Sequence, residues 1–443
     1  MRAPRPTRLQ GWGRQSRLGI ERRGEDLERL GAVARLSRGL GRSYGDSSLP
    51  AADGEIVLNT TLADRILAFD EATGLVRAEA GLSLVDLHRI TLPKLMFSPV
   101  TPGTQFVTLG GMVAADVHGK NQHTAGNFGD HVTKLRVRVA DGRVIECSPD
   151  EHPDLFSATI GGMGLTGHIL EVEFRLERIP SAAIVQESVR IANVDEFQEE
   201  LEASAKEWPF SMGWIDAITG GASLGRGVLY RGRWATPEEV AGSPPRPRRA
   251  AQLPVDFPSW VLNPASIRAF NALKYHSHVP RVQRRVVGIE ELFYPLDAIH
   301  DWHRMYGARG FTQYQCVLPR RAGKGSARRV LTLLSNLGAA SFLCVIKDFG
   351  REGRGILSFP TPGITLAIDI PIRPDTPDVV RALNALVLEL GGRVYLAKDS
   401  FTTADELARM DPRVEEFQRV REVWDPERRF RSAQSVRLLG DSP

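Results

Sequence analysis

In the stretch GITLAIDIPI, residues 363–372, every second side chain is branched and apolar. Ile364, Leu366, Ile368 and Ile370 share one face of a strand, and Thr365, Ala367 and Asp369 share the other. The same period of two runs through FTQYQCVLP, 311–319, which puts Gln313 and Gln315 together. It also runs through FSMGWIDAI, 210–218, which puts Met212, Trp214 and Asp216 together. ESVRIA and SFLCVIKDF read as further strands, and a period near 3.6 predicts helices in VDEFQEELEASAKE, SARRVLTLLSNLG and TPDVVRALNALVLELGG. No strand in this half leads into a Gly-rich phosphate turn. The pattern predicts one broad antiparallel sheet with helices stacked on a single face. The other face, carrying Gln, Trp, Thr and Asp, is left either to water or to a ligand that it roofs.

The first part of the chain has a different rhythm. GEIVLN is a strand, RILAFDEATGLVRAEAG two strands around a turn, and SLVDLHRI a helix. KLRVRVADGRVIECS reads as a hairpin with Asp141-Gly142 at its tip, and HILEVEFRLERIP as a half-buried strand that closes near Pro180. The fold class is α+β, and 443 residues are long enough for two cores.

Composition narrows the function classes. Hydrophobic residues at 42% and charged residues at 25% describe an ordinary globular chain. Cys147, Cys316 and Cys344 are far apart, without a C-x-x-C pair, and His118 and His123 lie five apart without a carboxylate cluster. Neither a disulfide framework nor a metal site is expected. A net charge of +4 gives no global nucleic-acid footprint, although Arg bunches in PPRPRRAA and PRVQRRVV. The basic N-terminus lacks the apolar core of a signal peptide, and no run reaches membrane-spanning length, so a cytoplasmic chain is expected. GSPPRPRRAAQLP, 242–254, reads as a mobile loop.

Glycine marks where the chemistry lies. GLGRSYGD, 39–46, follows G-x-G-x-x-x-G, which is neither the dinucleotide fingerprint nor the Walker loop. Its three glycines are free to take φ > 0 and so to gather N–H groups, and Arg42 and Ser43 add donors, which suits a diphosphate as well as a plain turn. A second segment, 98–130, holds Gly103, Gly110, Gly111, Gly119, Gly126 and Gly129, and GGMGLTG follows at 161–167. Three such approaches in one domain suit an extended cofactor.

LSRGLGRSYGD, TPGTQFVTLGGMVAADVHGKN and ATIGGMGLTG resemble the FAD-binding domain of the vanillyl-alcohol oxidase (PCMH-type) superfamily. With FTQYQCVLP, VIKDFG, LSFP and VYLAKDSFTT the chain resembles, over nearly its whole length, the decaprenylphosphoryl-ribose 2′-oxidase family within it. The resemblance implies an FAD-binding domain at 1–180, a substrate domain at 181–392 whose sheet roofs the flavin, and a segment 393–443 that returns to the first domain. It implies oxidation of the ribose 2′-hydroxyl of a polyprenyl-phosphate sugar. A short-chain reductase would then complete epimerisation to the arabinose donor of cell-wall arabinan, and a peripheral membrane contact would accompany the lipid, with an apolar groove flanked by disordered segments at 242–254 and in the basic stretch 274–288.

By the same resemblance FAD is held by Arg38, Gly39, Leu40, Gly41, Arg42, Ser43, Tyr44 and Gly45, by Gly103, Thr108, Leu109, Gly110, Gly111, His118, Asn121 and Gly126, and by Ile169 and Tyr395. Tyr44 stands where many relatives tether the flavin through His, so noncovalent FAD is expected. Lys398, His118, Lys120 and Tyr44 are the implied catalytic residues, and Gln313, Gln315, Lys347, Trp214, Thr365 and Asp369 line the substrate. Oxidising a carbinol leaves a proton and developing negative charge to accommodate, and Lys398 serves as either base or cation. Ala367, Thr365 and Met212 depart from the Cys, Asn and Ser of family members. Two other readings stay open: an FAD oxidase of a free alditol, sugar or aldonolactone, and a colourless basic protein that binds membrane or nucleic acid and whose glycine loops are structural.

Overall fold

A computed structural model describes residues 5–245, 250–258, 260–339 and 341–443. Besides a two-stranded sheet that pairs Met96–Phe97 with Glu177–Arg178, its first part builds two larger ones. One is four-stranded, in the order Thr7–Gln10, Ser16–Arg23, Glu55–Asn59, Leu36–Arg38, with its last three strands parallel. The other is five-stranded and antiparallel, in the order Ile66–Asp70, Leu75–Glu79, His168–Arg175, Val132–Arg138, Val144–Cys147. Gly142 takes φ +94° at the tip of the last hairpin, as the Asp-Gly pair predicts.

The second part is one eight-stranded antiparallel sheet, ordered Val282–Gly288, Ala183–Ile191, Gly227–Trp234, Phe210–Ile215, Cys344–Phe349, Gly363–Pro371, Phe311–Pro319, Arg393–Val394. The helices Val194–Ser204, Ser326–Asn336 and Thr376–Glu389 bury Phe197, Leu331 and Leu383 on the face that carries Ile346, Leu366 and Ile368. The opposite face does not meet water alone. At one end its Phe210, Ile184 and Val287 join the core of the first part through Phe97 and Phe293. Across the middle, register aligns Trp214, Val345, Ala367 and Gln315 in one row, Lys347 with Thr365, and Gln313 with Asp369.

The basic stretch 274–288 is ordered, against expectation. Lys274 to His276 finish the Pro264–His276 helix, and Val282–Gly288 pairs with Ala183–Ile191 as the edge strand. Valines 282, 286 and 287 supply the β-branched residues, and the arginines among them are what an edge strand uses against further pairing. Within 242–254, residues 246–249 lie outside the described residues, and Ala251–Gln252 pairs in parallel with Ile299–His300.

After Val394 the chain returns to the first part. Phe417, on the Arg413–Trp424 helix, packs with Ala158 and Leu165. The fully buried Arg421 donates to the Leu165 and Phe430 carbonyls and pairs with Asp441 at 3.0 Å. Among the described residues no helix is long and apolar enough to cross a membrane.

Gly213 lets the Val194–Ser204 helix sit on the sheet, since a Cβ there would lie 2.2 Å from the Phe197 ring. Gly213→Ala should therefore lower stability by about 1–3 kcal/mol, the usual scale of overpacking. Adding Phe197→Leu should recover part of it, and thermal melts of both variants read the difference.

Candidate active site

The loop 39–46 leaves the parallel strand Leu36–Arg38 and passes over its own Arg38. That guanidinium does not join the cofactor side: it donates to Ser48 and to the Gln10 carbonyl, directly beneath Gly41. Only Gly41 of the three glycines needs a positive φ, at +63°. Gly39 and Gly45 are required instead for close approach. A Cβ on Gly39 would lie 2.2 Å from Thr108 Oγ1, and one on Gly45 1.9 Å from the Asp399 carbonyl oxygen.

The N–H groups of Leu40, Gly41, Arg42 and Ser43 find no acceptor among the described residues. The Arg42 guanidinium has no carboxylate partner there either, and lies 4.0 Å from the Trp12 ring and 5.3 Å from Phe106. Free N–H groups and an unpaired cation fit a diphosphate. Beside them, Thr108 caps the Leu109–Ala114 helix by accepting from Gly111 N–H. The N–H groups of Leu109 and Gly110 are taken by the Leu82 and Ala80 carbonyls, so these two residues belong to the scaffold. The exposed Gly111 and the half-buried Ala114 and Ala115 leave a strip without bulky side chains. That strip suits a flat ring system, so the residues present fit FAD.

Asp116 then turns the chain at φ +38°, fully buried, with its carboxyl accepting from Asn127 at 2.7 Å, Gly129 at 2.9 Å and Ser358. Burial pushes it up to about 6. The turn delivers His118, Gly119 and Lys120 to the sheet. His118 lies 4.9 Å from the rings of both Phe349 and Tyr395, its Nε2 accepts from Gln315 Nε2 at 3.0 Å, and its Nδ1 is buried without a partner. Burial, with Lys347 and Lys398 nearby, holds this imidazole well below its ordinary value, so it is neutral at physiological pH. Gln315 also donates to Thr365 Oγ1 at 3.0 Å, and Thr365 donates to the Cys316 carbonyl.

Three lysines converge here, and none is paired with a carboxylate among the described residues. Lys120 Nζ donates to the Phe293 carbonyl at 2.9 Å, Lys347 Nζ to the Gly119 carbonyl at 3.5 Å, and Lys398 Nζ lies 5.5 Å from the Tyr44 ring centroid. Burial lowers Lys120 and Lys398 to about 8 and Lys347 further still. Asp369, buried beneath, accepts from Gln313 Nε2 at 2.5 Å and Tyr306 Oη at 2.8 Å. Burial pushes it up to about 7, opposed by those two donors and by Lys398.

Lys398 is tied to the loop 39–46 from behind. Tyr44 N–H donates to the Ala397 carbonyl at 3.0 Å. Arg437, on the Ala433–Leu439 helix, donates to Asp46 at 2.7 and 3.0 Å and to Asp399 at 2.7 Å.

The structure thus brings together Tyr44, His118, Lys120, Gln313, Gln315, Lys347, Thr365, Asp369, Tyr395 and Lys398. Trp214 stands further along its sheet row, with Nε1 donating to the Phe342 carbonyl. Ile169 is packed in the core of the first part, Asn121 donates to the Pro99 carbonyl, and Gly126 turns at φ +76° against Asp130 and Arg351. Sequence reading missed Trp12, Tyr306 and Arg437. Of these only Gly-Trp-Gly at 11–13 carried a signal, as a turn flanked by polar alternation.

Arg437→Met leaves two carboxylates facing each other behind the site. The partial exposure of Arg437 places the loss near the low end for breaking such a cluster, about 2–3 kcal/mol. A lower melting temperature and flavin loss on gel filtration are expected.

Comparison with known proteins agrees with this geometry. Residues 32–148 match the FAD binding domain family. The chain is 36% identical to decaprenylphosphoryl-beta-D-ribose oxidase of Mycolicibacterium smegmatis over 411 residues, 91% of this chain and 88% of that one. An uncharacterised Streptomyces coelicolor protein is 30% identical over 368 residues, 80% of this chain and 100% of its own. An L-gulono-1,4-lactone dehydrogenase of Mycobacterium tuberculosis is 21% identical over 408 residues, 91% and 90% of the two chains. The chain belongs to the decaprenylphosphoryl-β-D-ribose oxidase family and is an FAD-dependent oxidoreductase.

Proposed function

We propose that the protein oxidises the 2′-hydroxyl of a polyprenylphosphoryl-β-D-ribose to the 2′-keto sugar, with noncovalently held FAD. The observation that carries this reading is the group of three unpaired lysines, Lys120 buried and Lys347 and Lys398 half-buried, beneath a sheet face of amides and a carboxyl and beside the loop 39–46 with its free N–H groups. We take 1–180 with 393–443 as the unit that holds the cofactor and 181–392 as the unit that holds the sugar.

When bound, FAD supplies the two-electron acceptor that the protein's own side chains lack. The N–H groups of residues 40–43 and Arg42 hold its diphosphate. Lys398, lowered to about 8, carries a substantial neutral fraction at physiological pH and accepts the proton of the sugar hydroxyl at Nζ. Asp369, fixed by Tyr306 and Gln313, sets the charge Lys398 holds afterwards. Neutral His118 fixes Gln315 for a sugar hydroxyl, and Lys120 and Lys347 face developing negative charge. Phe349, Phe359 and Tyr395 keep water from this corner. The keto product calls for a reducing partner, and a short-chain reductase supplies that chemistry.

Tyr44, at the position where the resemblance places the tethering His, cannot form a histidyl bond. Acid precipitation should therefore release all flavin to the supernatant, and colour retained in the pellet would overturn the noncovalent reading.

Because the neutral amine is the active form, anaerobic flavin bleaching should speed up with rising pH until about 8 and then level off. Lys398→Ala should keep the yellow colour, lose this inflection and bleach about 10²–10⁴-fold more slowly. Lys398→Arg should restore little, because a guanidinium stays protonated. Wild-type bleaching rates in Lys398→Ala would remove Lys398 from the reaction.

A further inference from the structure

Between Val255 and Val282 lie six of the fifteen large apolar side chains that the described residues leave exposed. Trp260 is 74% exposed, Leu273 72% and Phe270 46%. Scattered apolar exposure is ordinary, but this concentration in one segment is not. The segment is also basic. From 255 to 288 it carries five Lys and Arg against one acidic residue, Asp256, which is itself paired with Arg14.

The Pro264–His276 helix has two unlike sides. Its inner side buries Ile267 and fixes Asn271 Nδ2 on Asp216 at 2.9 Å, which docks the helix at the end of the Phe210–Ile215 strand. Lys274 is on this side, half-buried, its Nζ 4.3 Å from the Trp214 ring centroid, with no carboxylate partner among the described residues. Burial lowers it to about 8, so it remains mostly charged at neutral pH. Trp214 begins the sheet row that continues through Val345 and Ala367 to Gln315. On the outer side Phe270 meets Phe342 at 5.6 Å, Phe342 stacks on Tyr306 at 5.5 Å, and Tyr306 holds Asp369. An aromatic path thus runs from the exposed helix face to the reaction site.

We propose that this helix, entered through Trp260, is a binding site for a polyprenyl phosphate, with Lys274 meeting the phosphate and Trp260, Phe270 and Leu273 the first isoprene units. A half-buried cation over the first residue of the sheet row, backed by an apolar ramp open to the outside, matches an anionic head with a hydrocarbon tail. The site rests on the substrate class proposed above and assigns where its lipid phosphate is read.

Titration calorimetry on the full-length holoenzyme with farnesyl phosphate tests it, with inorganic phosphate and farnesol as partial probes. Farnesyl phosphate should bind at least about tenfold tighter than either, and Lys274→Gln should weaken it by about tenfold, the scale of one charge-assisted contact. Phe270→Ser with Leu273→Ser should weaken it at least as much, since two apolar contacts are lost. Flavin content and melting temperature confirm that each variant is folded. Equal affinity in wild type and both variants overturns the site. Farnesyl phosphate binding no tighter than inorganic phosphate does the same. If the variants lose only sedimentation with phosphatidylglycerol vesicles, the surface serves a bilayer. If they lose only a dimer, it serves a second copy. Either outcome overturns the proposal. The substrate reading fails separately: farnesyl phosphate that binds here while farnesylphosphoryl ribose leaves the flavin yellow removes the reaction and keeps the site. Bleaching with an unchanged KM in both variants does the reverse.

Discussion

The grip of Arg437 on Asp46 and Asp399 is the constraint on which the rest of the site depends. Asp46 ends the loop 39–46, Asp399 follows Lys398, and one guanidinium from the last helix holds both. A charge-assisted clasp of this kind has geometric precision that apolar packing lacks. The absence of a side chain at Gly45 completes it, because the loop backbone rests against the Asp399 carbonyl. The loop 39–46 and Lys398 are thereby placed relative to each other by the scaffold, before any ligand arrives. This explains why the chain, after finishing the large sheet at Val394, spends its last helices returning to the first part.

Within that frame the electrostatics are deliberately unbalanced. Lys120, buried, and Lys347 and Lys398, half-buried, lie near one another, and the carboxyl closest in charge to Lys398, Asp369, is itself pushed towards neutrality by burial. Such a group opposes folding on its own, since each ammonium gives up hydration without a paired anion. The imbalance makes sense when the missing anions come with the ligands: a diphosphate, a reduced ring carrying negative charge, and a phosphorylated sugar. Bound ligand then contributes to stability as well as chemistry. The same lysines restrain His118, which stays neutral and therefore works as a fixed hydrogen-bonding group.

How much of this was legible in the sequence follows from the range of the interactions. The alternation in GITLAIDIPI and FTQYQCVLP is local, and it correctly separates Leu366 and Ile368 from Thr365 and Asp369 across the sheet. The glycines of 39–46 were legible as special, but their reasons were not. Freedom of φ accounts for Gly41 alone, whereas Gly39 answers to Thr108 and Gly45 to Asp399, contacts separated by scores to hundreds of residues. Arg437 and Tyr306 were invisible for the same reason, since each acts only through a partner far away in the chain, and Trp12 showed only as the middle of a Gly-Trp-Gly turn. The stretch 274–288 misled because arginines suggested solvent, although valines at 282, 286 and 287 were enough to pair an edge strand.

Thr365, Ala367 and Met212, the three positions where the resemblance implies other residues, share one sheet face. Thr365 keeps a hydroxyl that accepts from Gln315 and donates to the Cys316 carbonyl, so Gln315 stays oriented without an amide. Ala367 lies between Val345 and Gln315, where its methyl adds no polar group and leaves room above the row. Met212, beside the Gly213–Ile346 pairing, supplies a flexible thioether in place of a hydroxyl. None of the three alters a lysine, His118 or Asp369. On this face Ala367 and Met212 are apolar, while the lysines, His118 and Asp369 supply the charge and the polar contacts below it.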